Sequence, residues 1–285
     1  MRASPTSQEL ESLAASQWGM FTTAQAQGLG IRRNQISRMI DAQRIESMCY
    51  GVYRFIAGSE PAHSDIKAQW LSAFPREAAF ERLSRRPFDA VVAAQTATIA
   101  LGAGDFHASP YTFIVSKRKQ TSRRDVRFLQ CALDESDVVF CDGIPTTSFE
   151  RTVYDLLRLN EDPSLVDSFM QDVASRVGYS FDAKKMARLL APLARRFGFE
   201  AGNGAAFAAD LIARNCTSAQ IGRASDALWN AVSNIISSQQ MYPATAKALK
   251  DLPRFDSGQL AEIAKALENS PHFSSSEIPA IVKAI

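Results

Sequence analysis

Residues 22–55 read TTAQAQGLGIRRNQISRMIDAQRIESMCYGVYRF, and the order of signals in this stretch decides the fold of the N-terminal part. Thr22 or Thr23 caps a short helix through residues 24–27, because a hydroxyl there accepts from backbone N–H groups that have no intrahelical partner. Gly28 and Gly30 end it, glycine tolerating the positive φ of a tight turn. A second helix is predicted over residues 33–42. Ile36, Met39 and Ile40 are spaced to bury one stripe, while Asn34, Arg38 and Asp41 lie opposite, flanked by Gln35 and Ser37. Two strand-like runs follow, residues 44–49 and 52–55, joined by Tyr50-Gly51.

Helix, glycine turn, polar-faced helix and small hairpin is the order of a winged helix-turn-helix. The second helix has the size to enter a major groove, and Arg, Asn, Gln and Ser are side chains that read base edges. Asn34, Gln35, Ser37 and Arg38 are therefore the base-reading candidates. Thr22, Arg32, Arg33, Tyr50, Tyr53 and Arg54 are the candidates for the DNA backbone, where contacts position a protein without carrying sequence information. Winged domains that contact proteins share this pattern, and Asp41 and Glu46 partly offset the arginines, so local charge does not separate the two uses.

The run Gly19-Met20-Phe21-Thr22-Thr23-Ala24-Gln25-Ala26, then Gly30-Ile31, Met39-Ile40, Arg44-Ile45 and Gly51-Val52-Tyr53-Arg54, resembles the N-terminal winged-helix domain of AbiEi-type antitoxins. These are the regulatory halves of AbiE-type (type IV) toxin–antitoxin pairs. A second block, Asp142-Gly143-Ile144-Pro145-Thr146-Thr147-Ser148 running into Glu150-Arg151-Thr152-Val153-Tyr154-Asp155-Leu156-Leu157, is similar to a motif of that family's second domain. With residues 94–101 between them, the likeness spans roughly residues 19–160. It implies an autorepressor that binds its own promoter, expected at inverted repeats, and counters a nucleotidyltransferase-like toxin. No catalytic duty attaches to the Arg151-Thr152 block.

The 285 residues hold enough apolar material, 46%, for a sizeable core, and 22% charged residues suit a globular protein. A net charge of +2 permits nucleic acid as a partner without demanding it. Cys49, Cys131, Cys141 and Cys216 are scattered, and His63, His107 and His272 lack ligand spacing with them, so neither a disulfide framework nor a zinc site is expected. The N-terminus does not have the pattern of a signal peptide, and the most apolar run, residues 90–101, is too short to span a membrane. A cytoplasmic protein is expected.

Before the quoted stretch, residues 4–16 form an amphipathic helix on Leu10 and Leu13, with Trp18 and Phe21 as core residues. Ala57-Gly58-Ser59-Glu60-Pro61 marks a boundary. Helices follow at 63–74, 76–85 and 90–101. The period then changes to strands at 111–115, 126–130 and 137–141, the last extended by Ile144. Between the first two strands lies the densest positive run, KRKQTSRR. Lys117, Arg118, Lys119, Arg123 and Arg124 within it are further candidates for the DNA backbone, set against a plain solvated hairpin loop. Thr147 or Ser148 caps a helix through Leu159, on which Arg151 and Asp155 form an i to i+4 surface pair. Helices are predicted at 164–177, 182–193, 204–215, 219–237, 244–249 and 259–267.

Catalytic signatures are scarce. Gly102-Ala103-Gly104 and Gly28-Leu29-Gly30 lack the third glycine of a dinucleotide fingerprint, and neither follows a predicted strand before a helix. Asp65-Ile66-Lys67 and Asp182-Ala183-Lys184 have nominal nuclease spacing but fall in predicted helices. The fold class expected is α+β: a winged helix-turn-helix over 1–60, a mixed α/β domain over 61–200 and a helical portion over 201–285. The functional expectation is a DNA-binding antitoxin and autorepressor without cofactor, metal or enzymatic activity. A protein-interaction module that binds the toxin with little DNA affinity is the alternative, and a metal-dependent nuclease a distant one.

Overall fold

The computed structural model describes residues 5–176 and 181–216. Three predicted helices, at 219–237, 244–249 and 259–267, lie outside the described residues. The chain divides into two compact units, residues 1–159 and 160–285, so the expected boundary at residue 60 runs inside the first.

The first unit opens with α1 (Pro5–Ala15), β1 (Met20–Thr22), α2 (Thr23–Gly28), α3 (Arg33–Asp41), β2 (Ile45–Cys49) and β3 (Val52–Phe55). The strands form an antiparallel sheet in the order β1-β3-β2, with Phe21 opposite Tyr53 and Glu46 opposite Arg54. This is the expected winged arrangement. Leu10 and Ala14 from α1 meet Phe21, Ala26, Ile31, Ile36 and Ile45 in one core, against which Leu29, Met39, Tyr53 and Phe55 pack. Thr22 is the cap of α2: its Oγ1 accepts from Gln25 N–H at 3.1 Å, while the Gln25 side chain accepts from Thr22 N–H at 2.9 Å. Ile40 departs from expectation. It is 39% exposed rather than in the buried stripe, because α3 meets the core mainly through Ile36.

Then follow α4 (Ser64–Ala73), α5 (Ala79–Ser84), β4 (Ala90–Val92), α6 (Ala94–Ala100), β5 (Tyr111–Val115), β6 (Val126–Gln130), β7 (Val138–Cys141), β8 (Ile144–Thr147) and α7 (Phe149–Arg158). Five strands make a mixed sheet in the order β6-β5-β4-β8-β7. Six consecutive residues of α4, 66–71, are buried, since the helix packs against both the winged sheet and strands β4 and β5. Trp70 donates from Nε1 to the Ala90 carbonyl at 2.9 Å, and the Arg82 guanidinium stacks 3.3 Å above its ring while pairing with Asp89. Buried glutamines tie the winged part to the chain after α4. Gln17 accepts from Ala79 N–H at 3.2 Å, and Gln25 donates to the Glu77 carbonyl at 2.9 Å.

Three expectations are corrected here. Residues 90–101 are not one helix: β-branched Val91 and Val92 pair as a central strand, and Ala94, at φ 51°, turns the chain into α6. Ile144 does not prolong the preceding strand. Asp142 and Gly143, both at positive φ, make a two-residue hairpin that folds β8 back on β7. The basic run is not a hairpin loop either, because β5 and β6 run parallel and residues 116–125 cross back between them.

The second unit contains α8 (Pro163–Ala174), α9 (Ala183–Leu190), a 3-10 stretch Ala191–Phe197 and α10 (Gly204–Asn215). Phe207 on α10 stacks with both Phe197 and Phe199 at 4.9 Å. Asn215 links the helices, donating to Asp167 Oδ1 at 2.7 Å and accepting from Gln171 at 3.2 Å. Among the described residues no helix is long and apolar enough to cross a membrane.

Candidate nucleic-acid interface

α3 owes its presentation to one buried anchor. Ile36 enters the core, so the residues around it, Asn34, Gln35, Ser37 and Arg38, all face outward and are exposed. Asn34 and Arg38 have no side-chain partner among the described residues and are open to a ligand. Gln35 is partly committed: its Oε1 accepts from Arg32 N–H at 2.8 Å and caps the helix, leaving the amide nitrogen outward. Ser37 donates to the Arg33 carbonyl at 3.2 Å and retains its acceptor capacity. The four base-reading candidates therefore sit on one polar helix surface.

The backbone candidates separate. Arg32 and Arg33 are exposed at the start of α3, and Tyr50 projects from the hairpin tip at 84% exposure. Thr23 N–H donates to the Gly51 carbonyl at 2.8 Å, which fixes that tip against α2. Tyr53 is half-buried, its ring 5.7 Å from Phe21. Thr22 and Arg54 do not reach solvent and are corrected to structural roles. Thr22 is fully buried, capping α2 and donating to the Pro75 carbonyl. The Arg54 guanidinium is held by Glu46 Oε1, with Nε at 2.8 Å, and by the Gly58 carbonyl at 3.2 Å.

Within the basic connector, Lys117, Arg118 and Arg124 are exposed, whereas Lys119 lies 4.6 Å over the Phe74 ring. Arg123 is a clamp rather than a free cation. It donates to Asp125 Oδ1 at 3.0 Å, to Ser72 Oγ at 3.0 Å and to Gln69 Oε1 at 2.6 Å, so the connector and α4 meet at one guanidinium, joined by β2 through Cys49. Arg123 in turn holds the Asp125 carboxyl below its ordinary range. Burial pushes the Cys49 thiol up to about 11 despite the nearby guanidinium, so it stays protonated. Between α3 and the hairpin lies a groove of about 660 Å³ bounded at its far side by Ser72, Pro75 and Arg123. Sequence reasoning missed Ser47 and Ser72 as groove residues, because only the packing of α4 against the hairpin brings them together.

The Arg151 block is also corrected. Arg151 and Asp155 are no surface pair: both are buried, and Arg151 further bonds Asp137 Oδ2 at 3.2 Å and Cys131 Sγ at 3.0 Å. Burial raises the Asp155 carboxyl to about 6, with Arg151 pulling it back down. The nominal nuclease pairs serve structure. Asp65 accepts from Tyr111 Oη at 2.8 Å, Lys67 Nζ donates to the Ala62 carbonyl at 2.8 Å, and Asp182 caps α9. Among the described residues no cluster of His, Cys, Asp and Glu could hold a metal ion.

A three-stranded sheet carrying an exposed polar second helix, joined to a mixed five-stranded sheet, defines a winged-helix protein with a second α/β layer. The N-terminal region, residues 8–56, matches the family model described as transcriptional regulator, AbiEi antitoxin. The family is regulatory. No curated protein matches the chain. A crystal structure of the RV2827C protein from Mycobacterium tuberculosis is similar at 15% identity, over 81% of this chain and 82% of that chain, with a TM-score of 0.45. That likeness is too distant to bear on function.

Proposed function

We propose that this chain is a sequence-specific DNA-binding antitoxin that represses its own operon and counters a nucleotidyltransferase-like toxin. The observation that carries the DNA reading is the outward polar surface of α3. Asn34 and Arg38 are free to pair with adenine and guanine edges, Gln35 and Ser37 flank them, and Arg32, Arg33 and Tyr50 stand where phosphates would pass. The antitoxin role rests on the family match of residues 8–56. Inverted repeats in the promoter are the expected operator, bound from the cytoplasm without cofactor.

The test is a gel shift with the chain's own promoter fragment, a scrambled competitor and a series of salt concentrations. Promoter-specific shifts that weaken as salt rises are expected, because phosphate contacts release condensed counterions. Absence of any shift at low salt sinks the DNA reading. Direct toxin contact then becomes the better account, and Val139 and Phe140, exposed on β7 at the edge of the five-stranded sheet, favour it. A pull-down with the co-encoded toxin separates the two.

A further inference from the structure

The groove between α3 and the hairpin has a one-sided chemistry. Its lining includes the Arg33 and Arg123 guanidiniums and the hydroxyls of Thr23, Ser47, Tyr50 and Ser72, and no carboxylate is among its lining residues. Ile36 and Ile40 supply an apolar flank. Asp125 is bonded to the Arg123 guanidinium and does not line the groove. Arg123 and Ser72 are engaged with each other and with Gln69, whereas Arg33 and the Ser47 and Tyr50 hydroxyls make no side-chain bond among the described residues. These donors with an apolar flank suit a sugar–phosphate chain, phosphates taking the donors and deoxyribose lying on the aliphatic surface.

The far rim of this groove is built by chain that packs on the five-stranded sheet. Ser72 is in the last turn of α4 and Pro75 follows it, and Arg123 fastens the β5–β6 connector there through Ser72 and Gln69. Lys119, on the same connector, sits over Phe74, one residue from Pro75. Its ammonium lies over the Phe74 and Phe128 rings, outside the residues that line the groove, and has no carboxylate partner among the described residues.

Resting on the DNA reading above, we propose that this groove seats the sugar–phosphate backbone of one DNA strand, with Lys119 of the β5–β6 connector closing its rim. The two sheets then bind DNA as one body, and Arg123 acts as a positioning residue that sets Lys119 beside the hairpin. Such contacts add affinity without base discrimination.

The test uses the full chain with promoter and scrambled duplexes, comparing wild type with Lys119→Gln and Ser47→Glu. Ser47 is exposed on β2 and makes no side-chain bond among the described residues, so the added carboxylate repels phosphate without disturbing the core. Each variant is expected to weaken both duplexes by a similar factor, roughly tenfold. Lys119→Gln should also flatten the slope of log affinity against log salt by about 0.9, a readout that a merely structural lysine would not move. If wild type shifts the promoter while both variants keep its affinity and slope, the groove assignment is overturned and the DNA reading stands. Losses confined to the promoter duplex overturn it as well, since they mean base contact. No wild-type shift overturns both.

Discussion

Arg38 and Arg54 are both arginines of the winged domain, sixteen positions apart, and packing alone assigns them different work. Arg38 is exposed on α3 without a partner among the described residues, whereas Arg54 is buried against Glu46. Replacing Arg38 with Ala should cost about 1–3 kcal/mol on the promoter site if it grips a guanine bidentately. Equal weakening on promoter and scrambled duplexes would instead make it a phosphate contact. Asp155 makes a pH prediction. Its folded value of about 6 lies above the unfolded carboxylate's roughly 3.9. The folded state therefore binds the proton more tightly, and the resulting stability is full below about pH 4 and lost as pH rises through 6. Asp155→Asn cannot titrate, so wild type should exceed it in urea midpoint by more at pH 4 than at pH 7. An equal gap at both would mean that the Arg151 pair just offsets burial, and a larger gap at pH 7 that it outweighs it. The exposed side of α3 was legible at this scale, from the spacing of Ile36 against Asn34 and Arg38. The burial of Thr22 and Arg54 was not, because Thr22's partner Pro75 comes from chain beyond the hairpin, and Arg54's partner Glu46 faces it only once β2 pairs with β3.

At the scale of elements, local signals succeeded where one element's own sequence carried the physics. The cap of α2, the bounds of β3 and the span of α10 all follow from hydroxyls, alternation and periodicity. They failed where neighbours decide. Ala90, Val91 and Val92 are central in a sheet whose other strands lie downstream, so an alanine-rich context read as helix. The Asp142-Gly143 turn was a hairpin signal in plain view, passed over because β7 and β8 are each only four residues long. One close approach has a measurable cost. A Cβ on Gly204 would lie 2.0 Å from the Ala187 carbonyl oxygen and 2.5 Å from Ala191 N, both backbone atoms. Gly204→Ala should therefore push α10 off α9 and lose about 1–3 kcal/mol in thermal or urea unfolding. Gly28→Ala, with nothing within 4 Å, is the control and should change stability little. Equal midpoints for both variants would show that α9 yields freely.

For the whole molecule, composition and the two family-like blocks pointed to a winged domain followed by a mixed layer, while the assignment of residues 1–159 to one compact unit came only from three dimensions. The glutamines at 17 and 25 and the Arg123 clamp all join segments more than forty positions apart, and no local pattern announces such contacts. The connector between β5 and β6 carries a last consequence. Five paired residues advance roughly 16 Å, and the return to the start of a parallel neighbour must recover that distance. Residues 116–125 extend at most to roughly 35 Å, so nearly half their contour is consumed by the return before any of it can bend around α4. Length, more than charge, is what this segment has least of to spare. Shortening it by a few positions would drag β6 out of step with β5, and a slip of a single residue would turn the buried Val126 toward water and its outward neighbour Arg127 toward the core.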